Sequence, residues 1–362
     1  MISDIASQCI SPTDSLRQAL ACINRNAKGI VLVVDSDQRL IGTVTDGDIR
    51  RAILNGDNLD ISAAELLDRK VGSPVGWPSG KPVTAPAETR RMDLLHLMQE
   101  HVVYQIPLLD PDGRVVSVVT LEELLPDQVI PLQAVIMAGG FSTRLRPLTE
   151  DLPKPMLQVG DRPIMEMIVE QLCKAGIRRV NVTTHYKSKK IIDHFGDGHD
   201  FGVEFNYVRE DRPLGTAGAL GLMQTPKEPL LVINGDILTQ VDFRSMLAFH
   251  TEHKADLTVA VRRYDLNVPY GVIESENAFV QELVEKPVLS FFVNAGIYLL
   301  EPSVHSYVPD NQHYDMTNLI QALLDADRPV VSFPIHEYWL DIGQHVDYER
   351  AVMDVQSGRF KP

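Results

Sequence analysis

The run V-I-M-A-G-G-F-S-T-R-L-R-P-L-T-E-D-L-P-K-P (Val135–Pro155) decides how the larger part of this chain is read. An apolar segment from Ala134 to Ala138 stops at Gly139-Gly140. A strand that ends in a glycine turn leaves backbone N–H groups facing a crevice, where a phosphate can approach at small steric cost. Arg144 and Arg146 add planar cations, and Lys154, between Pro153 and Pro155, adds a point charge on a stiffened loop. The glycines alone describe an ordinary strand-to-helix turn with surface arginines equally well. The cations at this spacing turn the reading toward a phosphate cradle formed by Ala138, Gly139, Gly140, Ser142 and Thr143.

The same string resembles the motif of the sugar-1-phosphate nucleotidylyltransferases, usually G-G-x-G-T-R-L-x-P-L-T followed by P-K-P. One position departs. Ser142 stands where that family usually has glycine, a strain if the position needs positive φ and an extra donor if it does not.

Working outward, 362 residues suggest two domains, or three small ones. A net charge of −15 leaves no basic field for nucleic acid or an anionic membrane. Positive charge for a nucleotide must then be concentrated locally, as it is around Arg144, Arg146 and Lys154. The three cysteines, Cys9, Cys22 and Cys173, offer neither zinc spacing nor a disulfide framework. No signal peptide and no membrane-length apolar run are read, so a cytoplasmic protein with no membrane partner is expected.

Residues 1–126 read twice, as copies 1–60 and 61–126. Each copy has a helix, a strand, an aspartate turn (D-S-D-Q or D-P-D-G), a second strand and a second helix start. The offset is constant: Asp35 pairs with Asp110, Thr45 with Thr120 and Asp48 with Glu123. The first copy predicts a helix with Leu16, Ala19, Leu20 and Ile23 on one face and strands Ile30 to Val34 and Leu40 to Thr45. The second predicts a helix from Thr89 to His101 and strands Ile106 to Leu109 and Arg114 to Thr120. The tandem resembles a pair of CBS motifs, an α+β module that often binds adenosine nucleotides. G-T-V-T-D-G-D (Gly42 to Asp48) matches that family's pattern, which implies a regulatory purine nucleotide held by Thr45 on phosphate and Asp48 on ribose. The alternative is that Thr45 and Asp48 only cap a helix and the pair only packs or dimerises the protein. Glu123, with its longer arm, is expected to place its carboxylate differently. The punctuated stretch Val71 to Pro86 reads as loop, with Trp77 as a packing anchor, and 127–131 as a linker.

Residues 132–362 alternate apolar strands with helices, which implies a doubly wound, mostly parallel α/β sheet with its site at the carboxyl ends of the strands. There, L-G-T-A-G-A-L (Leu214 to Leu220) offers small residues, Gly215 and Thr216 among them, against which a flat base could lie. Glu210, acceptor-only, suits the paired donors of guanine, unless it is a solvent-facing surface residue. Asp236, in N-G-D after an apolar strand, suits a magnesium ion shared with substrate phosphates, or else an Asx-turn. Asp341, in Y-W-L-D-I-G, repeats the arrangement. Lys187, Lys189 and Lys190 read as a solvated helix face, and His336 and Trp339 as core or strand-edge residues.

The resemblance adds roles to these positions. It implies a Rossmann-like nucleotide-diphospho-sugar transferase fold, Mg²⁺ on Asp236 and Asp341, and Arg144, Lys154 and Asp236 as the catalytic set. It further implies Gly271, Glu285, Lys286 and Asn294 on the sugar phosphate, an NTP (GTP favoured) and a sugar 1-phosphate as substrates, and a homo-oligomer. Tyr314-Asp315-Met316 and Phe333 to Gly343 resemble the subgroup acting on glucosamine 1-phosphate. Mannose, heptose or glucose 1-phosphate, UTP or ATP, and a silent nucleotide sensor with Ser142 as the lesion stay open.

Overall fold

The computed structural model describes residues 5–71, 81–124, 130–140 and 143–360. The expectations for Ser142 and Trp77, and most of the proposed linker, concern residues outside these. The chain divides into two units, Met1–Gln128 and Val129–Pro362.

In the first unit, α1 (Leu16–Asn26) starts where Ser15 and Gln18 cap each other reciprocally, and it buries Leu16, Ala19, Cys22 and Ile23. β1 (Ile30–Val34) and β2 (Leu40–Thr45) pair antiparallel, and α2 (Asp46–Leu54) follows directly. α3 (Ala63–Lys70) contributes Ala63, Leu66 and Leu67 to the same core. The second copy repeats the plan with α4 (Arg91–His101), β3 (Gln105–Leu109) and β4 (Val115–Thr120). The repeat is reproduced atom for atom at its turns. Asp35 Oδ1 accepts from the N–H groups of Asp37 and Arg39, both at 2.9 Å. Asp110 Oδ1 accepts from those of Asp112 and Arg114, at 2.9 and 2.8 Å. The two turns also meet reciprocally: Leu40 N donates to Gly113 O (3.1 Å) and Val115 N to Gln38 O (3.2 Å). Those two bonds exchange under the same sequence offset, so the copies are related by a local two-fold axis.

The second unit is built on seven strands: β5 (Gln133–Met137), β6 (Arg179–Thr184), β7 (Glu204–Arg209), β8 (Leu230–Asn234), β10 (Leu257–Asn267), β13 (Val288–Leu300) and β14 (Val330–Ile335). Their order across the sheet is β7-β6-β5-β8-β13-β10-β14. Four of the six pairings are parallel, and β13 is antiparallel to both its neighbours. Strands β5 and β8 are buried on both faces, as their continuous apolar sequence requires. Helices α5 (Ile164–Lys174), α6 (Ser188–Phe195), α7 (Phe243–Glu252), α8 (Met316–Asp325) and α9 (His345–Gln356) accompany the sheet. The expectation of a mostly parallel α/β sheet holds, with β7, β6, β5 and β8 as its continuous parallel run. Beyond β8, β10 and β13 run on past the sheet as a ribbon, with the hairpin β11 (Val272–Glu276) and β12 (Phe279–Val284) between them. A short pair, β9 (Ile237–Thr239) and β15 (Trp339–Asp341), closes the carboxyl end. No helix among the described residues is long and apolar enough to cross a membrane.

Candidate active site

Strand β5 ends at Met137, and Ala138 N continues toward the neighbouring strand by donating to Thr183 O at 3.1 Å. Ala138 is buried, whereas Gly140 faces open space: a Cβ there would meet nothing within 4 Å. Thr143 and Arg144 lie exposed on a short helical turn that ends at the buried Leu145. Strand β8 ends beside β5, with Gly235 N donating to Met137 O at 3.0 Å. A Cβ on Gly235 would sit 2.8 Å from that carbonyl oxygen, so only glycine lets the two strand ends meet.

This junction carries Asp236. Pairing of β9 with β15 sets Ile237 opposite Asp341, and Ile342 N donates to Asp236 O at 3.1 Å. The two aspartates, 105 residues apart in sequence, are thereby brought together. Lys154, 7% exposed on its own short turn, forms an ion pair with Asp236 Oδ2. Burial and the nearby Asp236 charge push the Asp341 carboxyl above its ordinary range, against the opposing pull of Lys154. Arg144 adds a weaker opposing pull. Asp236 Oδ1 is buried with no hydrogen-bond partner among the described residues. A buried carboxylate oxygen without a donor is costly. Two converging carboxylates with one such oxygen are the donor set a hard divalent cation requires, so the residues fit Mg²⁺.

Glu210 follows β7 and is not solvent-facing; it is 5% exposed. Its Oε2 accepts the Leu214 N–H at 3.0 Å, and a Cβ on Gly139 would fall 2.4 Å from its Oε1. Burial pushes its carboxyl up, opposed by the Leu214 N–H, His185 and Thr183. Glu210 therefore joins the first glycine of the cradle to the start of the Leu214–Leu220 loop. That loop has its own steric reason for small residues. A Cβ on Gly215 would meet Asp315 Oδ1 at 2.6 Å, and one on Gly218 would meet Gln312 O at 2.4 Å. Thr216 is engaged as well, with its N–H on Asp315 Oδ1 (3.0 Å) and its hydroxyl accepting from Met316 N (2.8 Å).

On the ribbon, Gly271 and Glu285 are brought together; a Cβ on Gly271 would lie 2.9 Å from Glu285 Oε2. Lys286 adopts a left-handed φ of 47° and its N–H donates to Tyr270 O. These three stay exposed on the hairpin and its turn. Asn294, on β13, instead lines a cavity of about 170 Å³ with Asp341, Trp339, Tyr298 and Asn234. Trp339 is thus a cavity wall, its Nε1–H donating to Ala295 O at 2.9 Å. Asn234 was not singled out in the sequence, where N-G-D drew attention only to its aspartate. Lys187 stands at the N-cap position of α6 with its side chain donating to Glu150 O, consistent with a structural surface role.

In the first unit, Thr45 and Asp48 cap each other. Asp48 Oδ2 accepts from Thr45 N (2.8 Å) and Thr45 Oγ1 (2.9 Å), and Asp48 N donates to Thr45 Oγ1 (3.3 Å). Lys70 and Arg51 each reach the Asp48 carboxylate at 2.5 Å. Burial opposes the charge of Asp48, but Lys70 and then Arg51 outweigh it and hold the carboxyl below its ordinary range. The geometry presents the capping role, and ribose binding would require these partners to be exchanged. Glu123 caps Thr120 in the same way but turns its other oxygen to Lys28 at 2.8 Å.

Each of the two units matches a known family. The nucleotidyl transferase family model matches residues 133–358, and the CBS domain model matches 1–55 and 75–126. A mannose-1-phosphate guanyltransferase of Schizosaccharomyces pombe is 33% identical over 227 residues, 60% of this chain and 62% of its own length. A UTP–glucose-1-phosphate uridylyltransferase of Synechocystis is 32% identical over 251 residues, 64% of this chain and 65% of its own length. The chain thus spans about three-fifths of the length of the curated relatives it matches. A solved structure from Bacillus anthracis, assigned as a glucose-1-phosphate thymidylyltransferase, superposes with a TM-score of 0.53 at 27% identity. That match covers 64% of this chain and 98% of the other.

Proposed function

The chain belongs to the nucleotidyl transferase family, and from that premise we propose that it transfers a nucleotidyl group from an NTP to a sugar 1-phosphate, releasing pyrophosphate. The observation that carries the proposal is the convergence of Asp236, Asp341 and Lys154 where β8 and β15 end, with Arg144 contributing its charge. An acceptor phosphate oxygen is already anionic, so the reaction requires no general base. Catalysis is then positioning and charge neutralisation. Arg144, on the exposed turn after the glycines, would hold the distal phosphates and the departing pyrophosphate. Lys154 would exchange its bond to Asp236 for one to the attacked phosphate. Asp236 and Asp341 would hold Mg²⁺, which when bound neutralises charge on the phosphate oxygens. Gly271, Glu285 and Lys286 would reach the sugar phosphate from the ribbon.

GTP is the proposed donor, on the acceptor character of Glu210 and on the guanyltransferase names of similar proteins. Glucosamine 1-phosphate is the proposed acceptor, on the Tyr314–Met316 and Phe333–Gly343 segments, with mannose 1-phosphate the first competitor. Pyrophosphate release is to be measured with GTP, UTP, ATP and dTTP against a panel of sugar 1-phosphates. Turnover with at least one pair is expected, lost in Asp236→Ala; release with no pair, or wild-type rates in that variant, would overturn the reading.

A further inference from the structure

The cavity between β8, β13 and β15 holds a polar group that the proposed reaction leaves unused. Asn234 is the last residue of β8, two before Asp236, and its backbone stays in register with Met137 of β5. Its side chain lines the cavity of about 170 Å³. Most polar groups around that space are satisfied by the protein itself. Asn294 Nδ2 donates to the Tyr298 hydroxyl at 2.8 Å, and its Oδ1 accepts from Gly296 N at 2.9 Å. The Trp339 indole N–H is spent on Ala295 O. The Asn234 side-chain amide has no hydrogen-bond partner among the described residues.

The fold also makes room for this amide. Gly296 has a φ of 70°, and a Cβ there would fall 2.6 Å from Asn234 Nδ2. The amide therefore lies directly against the backbone of β13, held at one wall of the cavity. Such a cavity is smaller than the ~300 Å³ at the lower end of drug-sized pockets, so it suits one sugar ring rather than a nucleoside. Asp341, which lines the same cavity, is one of the two carboxylates proposed to act at the reacting phosphates. An amide offers a donor and an acceptor together, the complement of a hydroxyl, which is both.

We propose that Asn234 binds one ring hydroxyl of the acceptor sugar and so sets the sugar specificity of the protein. This rests on the transferase reading above. A site that hydrogen-bonds a substrate hydroxyl discriminates against the analogue lacking it, because its own polar group is then left unpaired.

The test compares wild type, Asn234→Ala and the similarly sized Asn234→Leu on the best sugar 1-phosphate and its monodeoxy analogues, with the NTP varied separately. For wild type, one deoxy analogue is expected to lose about tenfold in kcat/KM, the size of a single neutral hydrogen bond. Asn234→Ala is expected to treat that analogue and the parent alike, with the KM for NTP within about twofold of wild type. An alanine variant that keeps the wild-type discrimination overturns the proposal. So does an equal rise in both KM values with a lowered Tm, which marks a merely structural residue. If the alanine variant gives no cooperative melt, Asn234→Leu carries the same readout, since it keeps the volume and removes both donor and acceptor. A wild-type protein inactive on every NTP and sugar pair sinks the transferase reading and this inference together. An active wild type with an indifferent Asn234 sinks this inference alone.

Discussion

Adding one methyl group at Gly235 tests how tightly the carboxyl ends of β5 and β8 govern the site. The new Cβ would lie 2.8 Å from Met137 O and 3.0 Å from Pro155 Cγ, short of the 3.4 Å at which contact becomes ordinary. Neither neighbour is the loose end of a side chain. Met137 O accepts the N–H of Gly235 itself, and Pro155 follows Lys154 in a buried turn. The strand ends must therefore separate by roughly half an ångström, and overpacking of this kind costs about 1–3 kcal/mol. For a unit of this size each kcal/mol lowers Tm by about 2–4 °C, so a fall of about 2–12 °C is expected. The larger effect falls on turnover, because the group displaced is Asp236 on one side and Lys154 on the other. Misplacing reacting groups by up to 1 Å costs as much as about 10²-fold in rate, so kcat is expected to fall about 10- to 100-fold. Pyrophosphate release at saturating substrates, with differential scanning calorimetry on the same preparation, measures both. A variant with wild-type Tm and a kcat within about twofold of wild type would refute the reasoning.

Two further outcomes follow from buried charge. Asp48→Asn leaves Lys70 and Arg51 facing a neutral amide, and breaking a buried pair of this kind costs about 3–5 kcal/mol. Denaturant unfolding of the full chain measures the loss, which Lys70→Met in the same protein should partly restore; a loss below about 1 kcal/mol contradicts the assignment. Because the Asp48 carboxyl ionises below its ordinary 3.8, the stability it contributes is present at neutral pH and lost as pH falls through its folded value. Glu210 has the opposite sign. Its carboxyl is raised above 4.5, so the folded state holds its proton more tightly than the unfolded chain. Its contribution to stability is thus present below 4.5 and lost as pH rises through the folded value. Glu210→Gln should therefore gain on wild type in urea midpoint between pH 5 and pH 8, and a difference independent of pH would count against the buried carboxylate.

Local chemistry was legible in the sequence wherever neighbours along the chain sufficed. The Asp35 and Asp110 turns and the strands at 30–34 and 40–45 need only residues within a few positions. Asp236 and Asp341 stood out too, because each lies at the end of an apolar strand, and the pairing of β9 with β15 brings them together. What stayed hidden depends on pairs far apart in sequence. Nothing in the spacing joins Lys70 to Asp48, Gly139 to Glu210, or Gly215 to Asp315. The small residues of Leu214–Leu220 looked like space for a base, and the backbone at Gln312 and Tyr314 and the Asp315 carboxylate occupy one side of them. The ribbon was hidden for another reason. Tyr264, Tyr270, Phe279, Phe291 and Phe292 are at least 42% exposed, so apolar sequence there did not signal core. Asn234 reads as part of a turn until Gly296 shows that room was made for its amide.

The central position of β13 has a consequence for how the chain is made. This strand bonds β8 on one edge and β10 on the other, yet both precede it in sequence. On a ribosome the repeat unit is complete long before residue 288 is synthesised, whereas β8 and β10 wait with unpaired edges. The transferase unit therefore has no stable intermediate length. A chain stopped between Asn267 and Val288 would carry β5, β8 and β10 and still lack the strand that joins the last two, so premature termination there should yield a folded repeat attached to a degradable remainder.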